Sequence, residues 1–200
     1  GELVAARVRK VGRLRADESG FDRFRQDPKN PQSLVDDRVR TIFEDAEQRL
    51  WIGTDSGLEL MNRVTGQFTH YGHDPSEPNS LADSHVISLY QDRGGVLWVG
   101  TRSAGLCKWN PRAWSLGHHK PDVQTEGQEA ANITSFAEDA DGRLWVGSFG
   151  KGLVSIDRNT GAERRYRHDD ADSNSLSDDR VMALLVDRLG MLWAGTMGGG

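Results

Sequence analysis

The sequence predicts an all-β protein: a β-propeller of four-stranded antiparallel blades, about 47–48 residues per repeat, of which this chain holds a part. A segment of the form Leu-Trp-small-Gly-Thr/Ser occurs four times, and its tryptophans are 47, 47 and 48 residues apart. The apolar runs are short, rich in β-branched residues and punctuated by glycine, which indicates strands and turns instead of helical repeats. The four copies are Leu50–Thr54, Leu97–Thr101, Leu144–Ser148 and Leu192–Thr196.

Each repeat opens with a predicted hairpin that leads into the tryptophan strand. A β-branched residue stands twelve residues before each tryptophan: Val39, Val86, Ile133 and Val181. An aspartate stands six residues before it: Asp45, Asp92, Asp139 and Asp187. Three copies then place glycine three residues before the tryptophan: Gly95, Gly142 and Gly190. Because aspartate can bond its own backbone and glycine accepts positive φ, this pattern indicates a turn between two strands.

Two shorter outer strands are predicted to follow in each complete repeat. A turn leads to a Gly-Leu pair, which occurs as Gly57-Leu58, Gly105-Leu106 and Gly152-Leu153. The last strand is predicted to end at Tyr71, at Trp114 and at Tyr166 in the three repeats. Four short strands in a unit of this length are typical of a propeller blade.

The segments between the repeats are predicted surface loops, each anchored by a buried leucine. Residues 27–34, 74–81 and 169–176 all begin with aspartate and end with Ser-Leu. The linker from His118-His119 to Ala130-Ala131 departs from this pattern, so a specialised loop is expected there. We divide the single propeller domain into outer strands of a preceding blade with a linker (1–32), three blades (33–79, 80–127 and 128–174) and the first half of a further blade (175–200).

Composition excludes several classes of function. The formal charge is −5 and the basic residues are scattered, which argues against a nucleic-acid partner. No apolar run approaches the roughly 20 residues of a membrane-spanning helix, and the N-terminus lacks the pattern of a signal peptide. Cys107 is the single cysteine, and the six histidines show no recurring ligand spacing. We therefore predict no metal site and no cofactor.

The segment Asp-x-x-Gly-x-Leu-Trp-Val-Gly-Thr followed by Gly-Leu resembles the two-component regulator propeller repeat, and the likeness covers nearly the whole chain. Propellers of that family typically form the extracytoplasmic sensing part of bacterial receptors, usually hybrid histidine kinases and sometimes diguanylate cyclases. The resemblance implies a periplasmic or extracytoplasmic location within a membrane-anchored receptor. It also implies roughly seven blades, so we expect the remaining blades and an output domain in a longer protein.

The repeated tryptophans and aspartates are assigned to the framework. A tryptophan at one fixed position of every blade, flanked by aliphatic residues, is expected to pack between neighbouring blades and not against a ligand. The framework residues are Trp51, Trp98, Trp145, Trp193, Asp45, Asp92, Asp139 and Asp187.

Candidate binding residues stand where the repeats differ. In an up-and-down blade, the start of the first strand and the end of the second lie on one face. If the first strand is innermost, as the resemblance implies, these positions surround the central opening. Arg38, His85, Asn132 and Arg180 precede the first strands, and Asp55, Arg102, Phe149 and Met197 follow the second strands. Variation on a uniform scaffold is expected of a binding face, and drift of unconstrained turn residues is the alternative.

Three of these residues are arginines, whose planar donors suit a carboxylate or polyanion, and Phe149 would supply an apolar wall. We therefore predict a sensor module that binds a small molecule or oligosaccharide, with an acidic oligosaccharide as the specific hypothesis. A scaffold or oligomerisation module, including a homodimer, is the alternative. A propeller lyase is a third class, but such lyases keep catalytic His and Glu on central loops, where this chain offers only His85. We predict that this segment is not an enzyme and has no catalytic residue.

Overall fold

A computed structural model gives the structure of residues 4–7, 10–110, 115–119 and 131–199. These residues form five successive antiparallel sheets, which we number blades 1 to 5 in chain order. No helix among them is long and apolar enough to cross a membrane. Blade 1 comprises β1 (Val4–Arg7), β2 (Lys10–Leu14) and β3 (Phe21–Phe24); blade 2 comprises β4 (Val39–Glu44), β5 (Leu50–Thr54), β6 (Leu58–Met61) and β7 (Phe68–Tyr71). Blade 3 comprises β8 (Val86–Gln91), β9 (Leu97–Thr101), β10 (Leu106–Asn110) and β11 (Ser115–His119); blade 4 comprises β12 (Asn132–Glu138), β13 (Leu144–Phe149), β14 (Gly152–Ile156) and β15 (Glu163–Tyr166); blade 5 comprises β16 (Val181–Val186) and β17 (Leu192–Thr196).

The first strands of successive blades lie side by side. Strands β4, β8, β12 and β16 contact one another in that order. Each second strand also contacts the first strand of the next blade, as β5 does with β8 and β9 with β12. In blades 2 to 5 the first strand is therefore the innermost, and the sheets follow one another as blades. The predicted fold class, a partial propeller of four-stranded antiparallel blades, is confirmed.

One aspartate closes each inner hairpin and also holds the tryptophan of the same blade. In blade 2, Asp45 Oδ1 accepts the backbone amide of Arg49 at 2.8 Å, and Asp45 Oδ2 accepts the indole N–H of Trp51 at 2.7 Å. The same indole bond measures 2.8, 2.9 and 2.8 Å in blades 3, 4 and 5. Glycines with φ of 79–83° occupy the turn in those three blades, whereas Gln48 adopts φ of 62° in blade 2. The constant six-residue spacing thus reflects one hydrogen-bonded unit.

Two of the four repeated tryptophans, Trp51 and Trp98, are buried at interfaces between blades. Trp51 is fully buried, and its ring centroid is 5.9 Å from that of Trp109 in blade 3. Trp98 is buried against Ile133 of blade 4. Trp145 is half-buried beside Tyr166 of its own blade. Trp193 in blade 5 is 61% exposed.

The glycine two residues after each tryptophan is required by the close approach of the next blade. A Cβ atom on Gly100 would lie 2.8 Å from Cγ2 of Ile133, closer than real Cβ atoms approach a neighbour. The Oγ of Ser88 also bonds the Ile133 carbonyl at 2.7 Å across the same interface. This glycine contact joins three successive pairs of blades, as Gly53–Val86, Gly100–Ile133 and Gly147–Val181. The constant glycine and the constant β-branched residue are therefore two halves of one contact.

Blade 3 and its linker differ in part from the sequence-based expectation. Strand β11 pairs with β10 in a register that places Cys107 opposite His118 and Leu106 opposite His119. These two histidines therefore continue the antiparallel ladder and do not belong to a loop, which corrects the predicted start of the linker. Trp114 and the linker residues from Lys120 to Ala130 lie outside the described residues.

The leucines of the other linkers are anchored as expected from the repeat. Leu34 and Leu81 are fully buried, and Leu176 is half-buried. Leu81 packs in the interface between blades 2 and 3, together with Val86 and Cys107. The linkers before blades 2 and 3 thus each insert one apolar side chain between the two blades that they join.

A buried carboxyl lies on the side of blade 2 that faces blade 1. Glu59 is fully buried on the same face of β6 as Met61, which packs with Val11 of blade 1. Its Oε2 contacts Nδ1 of His70, whose Nε2 contacts the carbonyl oxygen of Pro31 at 2.7 Å. Its Oε1 has no hydrogen-bond partner among the described residues. Burial raises the pKa of Glu59 to about 7, against the opposing effect of His70.

Replacing Trp98 by alanine should destabilise the protein by about 3–5 kcal/mol, because it empties a large buried site between blades 3 and 4. Thermal or denaturant unfolding measures this loss. Val64→Ala is the control, since Val64 is 96% exposed and should change stability little. A melting temperature for Trp98→Ala within a degree of the wild type would contradict the packing role.

Gly100→Ala should destabilise the protein by roughly 1–3 kcal/mol, because the added methyl group overpacks the contact with Ile133. Gly72→Ala is the matched control, since a Cβ there meets no atom within 4 Å. Equal unfolding free energies for the two variants would show that the blades do not depend on this close approach.

Glu59→Gln should remove a pH dependence of stability. The carboxyl has a pKa of about 7 in the folded protein, whereas an unfolded glutamate has one near 4.3. Between these values the folded state binds more protons, so the free energy of unfolding falls as the pH rises through this window. The variant should therefore gain stability relative to the wild type between pH 5 and pH 8 in denaturant unfolding. Glu77→Gln, at an exposed linker position, should show no such gain, and a pH profile unchanged by Glu59→Gln would contradict the assignment.

Candidate ligand-binding face

The eight variable positions meet in pairs at one end of the inner strands. Arg102 donates its backbone amide to the carbonyl of His85 at 3.0 Å, and Asn132 and Phe149 are partners in the β12–β13 ladder. The pairs are Arg38–Asp55, His85–Arg102, Asn132–Phe149 and Arg180–Met197. Because the first strands lie side by side, the pairs follow one another along the inner edge. We call this set of eight residues the ring face.

The blade 2 sector of the ring face is a closed cluster of ion pairs. Arg38 Nη2 bonds Asp36 Oδ2 at 2.9 Å. Arg40 binds Asp55 through two bonds of 2.6 and 2.8 Å, and Arg38 Nε lies 3.5 Å from the same carboxylate. The hydrogen bond from Arg40 lowers the pKa of Asp55. Two guanidinium groups and two carboxylates therefore neutralise one another here.

An aspartate two residues earlier holds the first member of three ring-face pairs. Asp178 Oδ1 accepts the amide of Arg180 at 2.7 Å and its Nε at 2.9 Å, and the pKa of Asp178 falls to about 2 because of this guanidinium. Asp83 Oδ1 accepts the amide of His85 at 3.0 Å and lies 3.2 Å from His85 Nδ1. Arg38 has the same relation to Asp36. Arg38 and Arg180 are therefore engaged by these aspartates, whereas the sequence-based hypothesis treated both as free donors.

These aspartates and Arg40 were missed when the sequence was read for candidate residues. The pattern Asp-x-Arg/His before the β-branched residue occurs in three repeats and could have revealed the aspartates. Arg40 had no comparable signal. It lies where the β4–β5 register shifts between Val39 and Thr41, and the guanidinium reaches Asp55 at the ring face.

The part of the ring face between blades 3 and 4 has exposed and unsatisfied side-chain groups. Arg102 is exposed, and its guanidinium forms no hydrogen bond or ion pair with any described residue. Phe149 is 42% exposed. The buried amide oxygen of Asn132 accepts no hydrogen bond within the described part of the chain. Phe149 forms an isolated β-bridge with Arg180 of blade 5. An exposed guanidinium such as that of Arg102 can bind a planar anion, for example a carboxylate, through paired hydrogen bonds.

The other reactive side chains serve the framework. His73 and His168 contact the carbonyl oxygens of Leu81 and Leu176 at 2.6 and 2.7 Å, so both position linkers. Cys107 is buried, and burial raises the pKa of its thiol, which disfavours the reactive thiolate. Within the described ranges, no group of three or more His, Cys, Asp or Glu residues could hold a metal ion.

Comparison with known proteins places these repeats in a family. The family described as two component regulator propeller matches residues 33–56, 80–103, 127–150 and 175–198. Each matched segment contains the first two strands of a blade. The chain is also 39% identical over 49 residues to histidine kinase P4 from Formosa agariphila, a match that spans 24% of this chain and 4% of the kinase.

Solved structures show the same fold. The extracellular domain of BT4673 from B. thetaiotaomicron, which is named both as a one component system and as a hybrid two component system, is 21% identical with a TM-score of 0.80. The match covers 99% of this chain and 25% of that domain. Virginiamycin B lyase from Staphylococcus aureus is 11% identical with a TM-score of 0.63 and is matched over 94% of this chain and 56% of the lyase. At such identities the structures establish the architecture, and the four repeat matches establish that the chain belongs to the two component regulator propeller family.

Proposed function

We propose that this chain is part of an extracytoplasmic ligand-sensing β-propeller in a bacterial two-component receptor of the hybrid histidine kinase type. Its family membership supports the signalling context. The likeness to an extracellular domain of a hybrid two component system and the match to a histidine kinase support the location and the output domain. The remaining blades and the output domain would be its partners within the same protein.

One observation carries the ligand-binding part of this proposal: the guanidinium of Arg102 has no partner among the described residues, on a face where Arg38 and Arg180 are paired. This exposed guanidinium has donors available for a ligand, and Phe149 is exposed on the same ring face. The favoured ligand is an acidic oligosaccharide, whose carboxylate would bind Arg102 and whose sugar ring would lie against Phe149. His85, held by Asp83, would border the same site.

A scaffold or oligomerisation role is the second candidate, and blade 5 presents the surface that it would use. Blade 5 exposes Met182, Leu185 and Trp193, and a Cβ on Gly195 would meet only Ala183 of its own blade. In blades 2 and 3 the equivalent side of the sheet is covered by the next blade. We propose a further blade of the same protein as the cover, and a second copy of the chain as the alternative. Sedimentation of the full-length ectodomain with and without ligand separates the two.

A lyase activity is disfavoured by the environment of His85. Asp83 bonds both its backbone amide and its ring, and no described glutamate contacts it. We therefore propose a non-enzymatic role for this segment.

Arg102→Ala should weaken binding of an acidic oligosaccharide about tenfold or more, the effect of losing a charge-assisted bond of roughly 1.5–3 kcal/mol. Titration calorimetry with full-length protein and a panel of acidic glycans measures this. Arg180→Ala should have a smaller effect because Asp178 already engages that guanidinium.

Arg188→Ala is the matched control, since this exposed arginine lies in the turn between β16 and β17, at the opposite end of the strands. A glycan that binds the wild type and Arg102→Ala with equal affinity would rule out this site.

A further inference from the structure

A cavity of about 190 Å³ separates blades 3 and 4. Its walls are apolar side chains from both blades, among them Leu106, Ile133, Val154 and Ile156. Ala131 and Ser148 also line it and are sequence neighbours of Asn132 and Phe149. The cavity therefore begins near the ring face and extends along β14 to Ile156, which pairs with Leu144 at the opposite end of the sheet.

The cavity exists because the repeat loses bulk at this interface. Ile156 pairs with Leu144 in the ladder as Trp109 pairs with Leu97 in blade 3, so an isoleucine replaces an indole. Trp109 fills the interface between blades 2 and 3, where its ring centroid is 5.2 Å from that of Tyr71. The smaller side chain of Ile156 leaves that volume unfilled between blades 3 and 4.

The interface between blades 2 and 3 also holds Leu81, which is fully buried against Val86 and Cys107. The equivalents of these two residues at the next interface, Ile133 and Val154, line the cavity. In the sequence, the residue 47 positions after Leu81 is Gln128, which lies outside the described residues.

A further change makes the rim of the cavity polar. Glu163 pairs with Ile156 as the buried Phe68 pairs with Met61 in blade 2, so a carboxylate stands in the place of an aromatic ring. Lys151, Arg165 and Arg167 also line the cavity. Arg165 Nη2 lies 3.8 Å from Glu163, whereas Lys151 and Arg167 form no ion pair with any described residue. Lys151 and Arg167 adjoin the Gly152 end of β14, whereas Glu163 pairs at its Ile156 end. Two cationic groups that are unpaired among the described residues therefore favour an anion at the Gly152 end.

We propose that this cavity is a second ligand site, separate from the ring face, which binds a small apolar acid: one aromatic or alicyclic ring that carries a carboxylate. An apolar cavity of about 150 Å³ accommodates benzene, so the larger volume here accommodates a ring and a short arm. The ring packs against Ile133, Val154 and Ile156, and the carboxylate binds Lys151 or Arg167 at the rim. This site goes beyond the proposed glycan-sensing function and does not depend on it.

The experiment is a titration of full-length protein with 3-phenylpropionate, followed by calorimetry and ligand-observed NMR. The wild type should bind the acid saturably. Ile156→Trp restores the arrangement that Trp109 has in the neighbouring blade and should weaken binding at least tenfold. Ile156→Val keeps the cavity open and should retain binding, as should Arg102→Ala, which changes only the ring face. Should Ile156→Trp fail to fold, Val154→Phe fills the same space.

The charge requirement is tested separately with the double variant Lys151→Gln, Arg167→Gln. It should weaken binding of 3-phenylpropionate several-fold but leave binding of the neutral 3-phenylpropanol unchanged. Equal losses for the acid and the alcohol would overturn the assignment of the rim to the carboxylate.

Two results would overturn the site itself. One is saturable binding that a folded Ile156→Trp or Val154→Phe variant leaves unchanged. The other is absence of binding to the wild type together with its appearance in Val123→Ser. Val123 is the single large aliphatic residue among residues 120–130, so that result would identify the chain's own side chain as the occupant. Absence of binding in both proteins would equally refute the proposal, and none of these outcomes bears on glycan binding at the ring face.

Discussion

The contact between the glycine of each tryptophan strand and the β-branched residue of the next blade sets the spacing on which the rest of the structure depends. With no Cβ on Gly53, Gly100 or Gly147, the innermost strand of the following blade can approach the sheet closely. That approach buries the neighbouring tryptophan and brings side-chain hydroxyls within hydrogen-bond reach of the next strand, as Thr134 shows with the Val181 carbonyl at 2.5 Å. The aspartate bound to the indole then fixes the direction of the ring. A scaffold held by these repeated contacts leaves the ends of its strands free to differ.

The departures from the repeat concentrate between blades 3 and 4. In blades 2 and 5 the charges of the ring face are neutralised within the protein by Asp36, Asp55 and Asp178. Between blades 3 and 4 the ring face has a guanidinium that no described residue pairs, and the same interface encloses a cavity. The interface between blades 2 and 3 holds Trp109 and Leu81 instead. An available guanidinium and a cavity left by smaller side chains are different physical changes. Because both occur at one interface, we propose that ligands bind there.

The sequence was sufficient for the framework because the framework is periodic. Residues that recur at one spacing, such as Asp92 and Trp98, must occupy equivalent positions in every blade, so the hairpins and the pairing of His85 with Arg102 followed from the alignment of the repeats. The ion pairs of individual side chains could not be predicted from the alignment of the repeats. Whether Arg180 is free depends on a carboxylate two residues away, and the reach of Arg40 to Asp55 depends on a shift of register that no residue type announces. The outer strand of blade 3 was predicted to end at Trp114, but β11 spans Ser115–His119. It lacks the preceding Thr-Gly and the final tyrosine that mark the outer strands of blades 2 and 4.

The hydrogen bond between aspartate and indole also bears on how such a chain folds. It joins residues six positions apart and closes a turn of a few residues, so the contacts of the inner hairpin are local in sequence, which favours fast formation. Each completed hairpin presents its glycine to the first strand that follows it in the chain. Assembly can therefore proceed from one blade to the next in the order of synthesis, with cooperativity carried between nearest neighbours as in other repeat proteins.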